Sequence, residues 1–144
     1  MANTLVATKS ITVNATKAQV WDAITNPELI KQYFFGTETE SDFKKGSPIY
    51  YRGVWEGKPY EDKGTILEIE KEKIFKHDYW SSFTGTEDKP ENYATITYTL
   101  SGNDGNVTLN VSQTNVPSQE MKERSEGNWG MVFEGMKDLL EKKK

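Results

Sequence analysis

The 144-residue chain has no cysteine and a single histidine, His77. These two shortages exclude a disulfide framework, a thiolate zinc site and a histidine-rich metal centre. No apolar stretch approaches the roughly 20 residues that span a bilayer, so membrane insertion is not expected. No basic stretch followed by an apolar run opens the chain, so no signal peptide is expected, and the three Asn-x-Ser/Thr matches at Asn14, Asn106 and Asn110 read as chance. Charge of one sign is not concentrated either. The 22 acidic and 18 basic residues leave a net charge of −4, spread evenly along the chain, and the pI is about 5.1. That balance speaks against nucleic acid as a partner. A P-loop, a dinucleotide fingerprint and a nucleophile elbow are all absent. The expectation is one cytoplasmic domain over residues 1–144, without cofactor or metal.

What the sequence has in quantity is aromatic rings: 4 Trp, 7 Tyr and 6 Phe. They suit either a tight core or a ring-lined pocket. Alternation predicts a first strand over about Thr4–Val13. Asn14 or Thr16 can cap the helix that follows; Thr16 and Gln19 match a capping-box pattern, and the helix carries Val20, Trp21 and Ile24 on one face. Asn26-Pro27 breaks it and starts a second short helix, burying Leu29, Ile30 and Phe34. From Gly36 to Thr114 the chain reads as an antiparallel meander. Gly64 marks a bulge or bend within a strand over Tyr60–Glu70, and Asn103-Asp104-Gly105-Asn106 is a hairpin turn. The alternation of Ala94, Ile96, Tyr98 and Leu100 with Tyr93, Thr95, Thr97 and Thr99 predicts a sheet with one wet face and one covered face. The only long helix runs over about Pro117–Lys144, with Met121, Trp129, Val132, Phe133, Met136, Leu139 and Leu140 on one stripe.

Three segments carry a resemblance to a known family: Val20 to Glu28 (VWDAITNPE), Gly64 to Ile69 (GTILEI) and Asn128 to Glu141. With them the chain resembles the START-like, or SRPBCC, superfamily (Bet v 1-like), and more narrowly the single-domain bacterial type of the family related to the activator of Hsp90 ATPase. The resemblance spans essentially the whole chain. It implies an α+β helix-grip fold, in which a curved antiparallel sheet of about six to seven strands wraps around the long C-terminal helix, with two short helices after strand one. It also implies an apolar cavity between sheet and helix. Members bind lipids, sterols, polyketides or plant metabolites, some are cyclases, and some bind a chaperone.

Phe34, Tyr51, Trp55, His77, Tyr79, Tyr98, Trp129, Phe133 and Met136 are the candidate ligand-binding residues, because they fall on the elements expected to face that cavity. The alternative for each is ordinary core packing. His77 shares a strand face with Phe75 and Tyr79. Inward, it would orient a ligand's carboxylate or carbonyl, or serve as a catalytic base; otherwise it is a structural histidine. Tyr33-Phe34-Phe35 either anchors the second helix or lines a pocket mouth. Arg52, Glu68 and Gln113 are expected on the solvent face. Glu61, Asp62, Glu68, Glu70 and Glu72 are expected to form a solvated charged strand. The leading reading is a module binding a small apolar or amphipathic molecule. The alternatives are a chaperone-associated module and a cyclase- or hydrolase-type enzyme using His77 with a tyrosine. The polar segment Ser81–Asn92 is a candidate gate.

Overall fold

The computed structural model describes residues 5–34, 36–55, 57–81, 87–89, 92–116 and 118–142, with Trp55 and Lys142 described by their backbone alone. The elements are β1 (Leu5–Val13), α1 (Lys17–Thr25), α2 (Pro27–Tyr33), β2 (Glu38–Glu40), β3 (Pro48–Trp55), β4 (Lys58–Glu70), β5 (Ile74–Ser81), β6 (Ala94–Asn103), β7 (Asn106–Val116) and α3 (Gln119–Lys142). The seven strands form one sheet in the order β1-β7-β6-β5-β4-β3-β2, and every adjacent pair is antiparallel. With the three helices, this is the α+β helix-grip fold expected from the sequence.

Local chemistry sets the helix starts. The Thr16 hydroxyl accepts the Gln19 amide at 3.1 Å, and the Thr16 amide donates back to the Gln19 side chain at 2.9 Å, so two otherwise unpaired donors are satisfied together. Asn26 ends α1, and its side chain accepts the Glu28 amide at 3.0 Å to start α2. Pro27 takes the first helical position, where its missing N–H costs nothing. Pro117, expected near the first turn of α3, lies outside the described residues.

Period-two alternation divides every strand between two faces. The outer face of β1, β7 and β6 is a ladder of small polar side chains: Thr8, Ser112 and Thr97 lie across from one another, then Ser10, Asn110 and Thr99. Their inner face is mostly aliphatic, with Ala7, Val13, Val107, Leu109, Val111, Ile96 and Leu100 buried. Against it α3 places Val132, Phe133, Met136 and Leu140, all buried. Met121, expected on that stripe, is exposed.

The inner face of β2 to β5 differs in kind. Among the buried Ile49, Ile66 and Phe75 it carries Thr39, Tyr51, His77 and Ser81, also buried, with Asp62 and Tyr79 half-buried. Because α3 packs chiefly on β1, this half is covered by rings from elsewhere. Trp21 of α1 stands edge-on to Phe75 at 6.4 Å, and Phe43 tilts over the same ring at 5.9 Å. Phe43 reaches it from a backbone φ of 56°, a left-handed conformation costly for a bulky side chain.

Candidate functional site

The site sits where this second half of the sheet meets α2 and α3. Phe34 caps the C-terminal end of α2 and stacks on Tyr51 of β3 at 6.3 Å, while its edge meets Trp129 of α3 at 6.3 Å. Trp129 in turn stands edge-on to Tyr98 of β6 at 5.8 Å and tilts against Phe133 at 6.0 Å. Tyr98 stacks on Phe75 at 5.8 Å. His77 lies within this ring shell, 5.3 Å from Phe75, 5.9 Å from Tyr51 and 6.5 Å from Tyr98. Five candidates from the sequence, Phe34, Tyr51, His77, Tyr98 and Trp129, therefore form one cluster, with Phe133 at its base. Met136 is fully buried one turn further along α3. The Trp55 side chain and Phe35 lie outside the described residues, as does most of Ser81–Asn92.

The polar atoms of this cluster are unevenly satisfied. The Nδ1 of His77 lies 2.7 Å from the Asp78 carbonyl oxygen. A carbonyl only accepts, so Nδ1 carries the proton and Nε2 presents a lone pair. That Nε2 is buried and unpartnered. Burial lowers the His77 pKa to about 4, against a smaller upward pull from the Asp78 carbonyl, so the ring is neutral at pH 7. Tyr51 and Tyr98 are buried beside it, their rings 5.9 and 6.5 Å from the imidazole. Burial raises both phenol pKa values, which keeps them protonated. The Trp129 indole donates to the Gln113 side chain at 3.1 Å.

A second polar group adjoins the first. Asp62 of β4 is the register partner of both Tyr51 and Ser81, so all three side chains share the inner face. Tyr79 donates its hydroxyl to Oδ2 of Asp62 at 2.7 Å, and Ser81 also bonds the carboxylate. Oδ1 is buried without a partner. Burial raises the Asp62 pKa, opposed by the bonds from Ser81 and Tyr79.

A distortion of the β4–β5 ladder aims His77. The Thr65 amide bonds not to backbone but to Oδ1 of Asp78, at 2.6 Å. This leaves the Asp78 carbonyl available to Nδ1 of His77. The carbonyl occupies the space above Gly64, where a Cβ would come within 1.8 Å of it. Gly64 is thus a point of close backbone approach. The bulge expected there lies three residues on instead: Ile66 pairs His77 and Glu68 pairs Lys76, leaving Leu67 as the extra residue.

Three sequence expectations change. Asp62 belongs to the inner face, not to a solvated strand, because it shares parity with Ile66. Gln113, expected in solvent, holds the Trp129 indole. The ligand-sized void expected beneath α3 is filled, among the described residues, by Phe133, Met136 and the ring cluster. Two open grooves have volumes of about 480 and 530 Å³. One is on the outer hydroxyl ladder around Thr8, Thr97 and Asn110, and the other is at the α3 edge around Lys9, Gly130 and Met131, where Phe133 also lines it. Arg52 meets its expectation, pairing with Glu40 and Glu61 on the solvent side. No helix among the described residues is long and apolar enough to cross a membrane.

An antiparallel sheet gripping a long C-terminal helix, with rings gathered at their junction, defines the START-like class of domains. Residues 14–141 match the family described as Activator of Hsp90 ATPase homolog 1-like protein, and the chain belongs to that family. The solution structure of ChR145 from Cytophaga hutchinsonii is 42% identical, with a TM-score of 0.85, over 99% of this chain and 98% of that one. Two more distant structures share the fold. The Aha1 dimer from Colwellia psychrerythraea is 14% identical with a TM-score of 0.74, over 94% of this chain and 96% of that one. DynU16, a protein in the dynemicin biosynthetic locus, is 17% identical with a TM-score of 0.79, over 96% of this chain and 48% of that one. No curated protein matches the chain.

Proposed function

We propose that the protein binds one small apolar or amphipathic molecule among the rings of Phe34, Tyr51, Tyr98 and Trp129, with His77 at the floor of the site. The observation that supports this reading is the presence of buried, unpartnered polar atoms, Nε2 of His77 and Oδ1 of Asp62, on this inner face. Leaving one buried polar group unsatisfied costs about 1–3 kcal/mol, so an interior built only for stability would replace or pair it. The rings touch one another, so a ligand enters by displacing Phe34 and Trp129, the half-buried members of the cluster. Both sit at the α2–α3 junction, and displacing Trp129 releases its indole bond to Gln113 of β7.

Binding is favoured over catalysis by the state of His77. A catalytic base works best with a pKa near the operating pH, and His77 at about 4 is a weak base with no carboxylate partner on its Nδ1. Native mass spectrometry of the protein purified from its own host tests the proposal. A co-purifying small molecule that is lost in the Trp129→Ala variant supports it. A mass matching the bare chain, together with stimulation of Hsp90 ATPase by the protein, decides instead for the chaperone-associated reading that the family description suggests.

A further inference from the structure

The polarity of the buried atoms specifies the ligand further; this step rests on the proposed interior site. A ligand among these rings meets one atom that only accepts: Nε2 of His77, because Nδ1 is held protonated by the Asp78 carbonyl at 2.7 Å. Oδ1 of Asp62, whose sister oxygen takes the Tyr79 hydroxyl at 2.7 Å, is a second unpartnered atom on the same face. Both are buried and unpartnered, and both lie on the inner face, on the neighbouring strands β5 and β4. The Tyr51 and Tyr98 hydroxyls and the buried, unpartnered Oγ1 of Thr39 take either role and do not discriminate. No lysine or arginine among the described residues is buried to neutralise an anion, so a carboxylate entering here would lose its hydration without compensation.

We infer that the site selects a small ring-bearing molecule with a hydroxyl donor, a phenol or alcohol, whose O–H is accepted by Nε2 of His77, and that it prefers this molecule over carboxylates and over analogues that lack the donor. This reverses the role that the sequence suggests for His77. The side chain does not orient a carbonyl or carboxylate, because the proton needed for that is committed to Asp78. The selectivity has a structural origin in Gly64. Only a residue without Cβ lets the Asp78 carbonyl approach so closely, and that carbonyl fixes the tautomer.

Three probes that share one ring system test the inference: naphthol, its methyl ether and naphthoate, each titrated calorimetrically into the intact protein, with the ring nitrogens of His77 followed by nitrogen NMR. Naphthol is expected to bind about tenfold or more tightly than the ether, the difference made by one hydrogen bond to a buried acceptor. Naphthoate is expected to bind more weakly still. The Nε2 resonance should move on naphthol addition while Nδ1 stays protonated. His77→Leu should bring naphthol and ether to equal affinity. Ether or naphthoate binding as tightly as naphthol would overturn the donor inference and leave the interior site standing. Failure of all three probes to bind, with no perturbation of His77, would overturn the interior site itself. Should His77→Leu fail to fold, the three wild-type affinities and the Nε2 resonance still decide.

Discussion

The two halves of the sheet's inner face obey different rules. Under α3, strands β1, β7 and most of β6 offer Val13, Val107, Leu109 and Val111, each at most 2% exposed. Nothing there is polar and unsatisfied. Two strands away, β4 and β5 place Asp62 and His77 on the same face, each with an unpartnered buried atom. One half follows the rule of a close-packed core, where shape and apolar area decide. The other departs from it at two places on one ladder, Asp62 opposite Ser81 and His77 opposite Ile66, on either side of the point where Gly64 admits the Asp78 carbonyl. Departures from local consistency gather where a protein does more than fold. The lesson is that burial alone does not separate core from site here; satisfaction of polar atoms does.

The sharpest way to break this contrast is to cut each half in turn. Leu109→Ala, in the aliphatic half at 0% exposure, should cost about 2–5 kcal/mol through lost burial and the cavity left behind, measured by urea denaturation. A cost below about 1 kcal/mol would mean that this half is not the stabilising core. The polar half should instead show itself through pH. His77 falls from 6.5 to about 4 on folding. Below pH 6.5 the unfolded chain binds a proton that the folded chain refuses, so the contribution is fully present above pH 6.5 and is lost as pH falls towards 4. The full span is worth about 3 kcal/mol. Asp62, with a raised folded pKa, works in the opposite direction as pH falls. Because Asp62 is retained in His77→Leu, it cancels when that variant is compared with wild type. The variant should lack the acid slope, and an identical slope in both proteins would show that His77 is not buried neutral.

The aliphatic half was legible in the sequence, and the reason is periodicity. Val107, Leu109 and Val111 alternate without exception, and Val132, Phe133, Met136 and Leu140 repeat at helical spacing. The capping residues Thr16, Asn26 and Pro27 were equally readable, because each acts on backbone groups within a few positions. The ring cluster was legible as a set of residues on inward-facing elements. Its state was not. Whether rings enclose a void or fill it depends on α3 packing chiefly on β1, which no local pattern encodes. Asp62 was misread because it stands amid Glu61, Glu68, Glu70 and Glu72, where charge masks parity with Ile66. The exchange of partners among Thr65, Asp78 and His77 was out of reach, since it joins residues of two strands through a side chain that replaces a backbone acceptor.

Gly64 sits inside the polar half, against the Asp78 carbonyl, and its substitution should give an intermediate effect. In Gly64→Ala the new Cβ meets the Asp78 carbonyl oxygen at 1.8 Å. Backbone lies on both sides, so β4 and β5 must separate locally. Forcing a group into such a place costs about 1–3 kcal/mol. Chemical denaturation measures this, and the His77 nitrogen resonances report the second consequence, loss of the fixed Nδ1 proton. A Gly64→Ala protein with wild-type stability and an unchanged His77 tautomer would separate the close approach from the histidine and remove the proposed origin of the selectivity.

His77→Leu at pH 7 should have the smallest effect on stability, within about 1 kcal/mol of wild type. The leucine gives up the Nδ1 bond to Asp78 but also removes the unpartnered Nε2 from the interior, and these two changes oppose each other. A purely structural histidine predicts a different balance: its removal from a fully packed ring shell would cost as much as Leu109→Ala. The comparison between the two variants at neutral pH therefore distinguishes a residue retained for what it presents to a ligand from one retained for what it holds in place. A loss near 3 kcal/mol at His77 would put it with the aliphatic half. Near-neutrality, combined with lost discrimination between naphthol and its ether, would put it in the site.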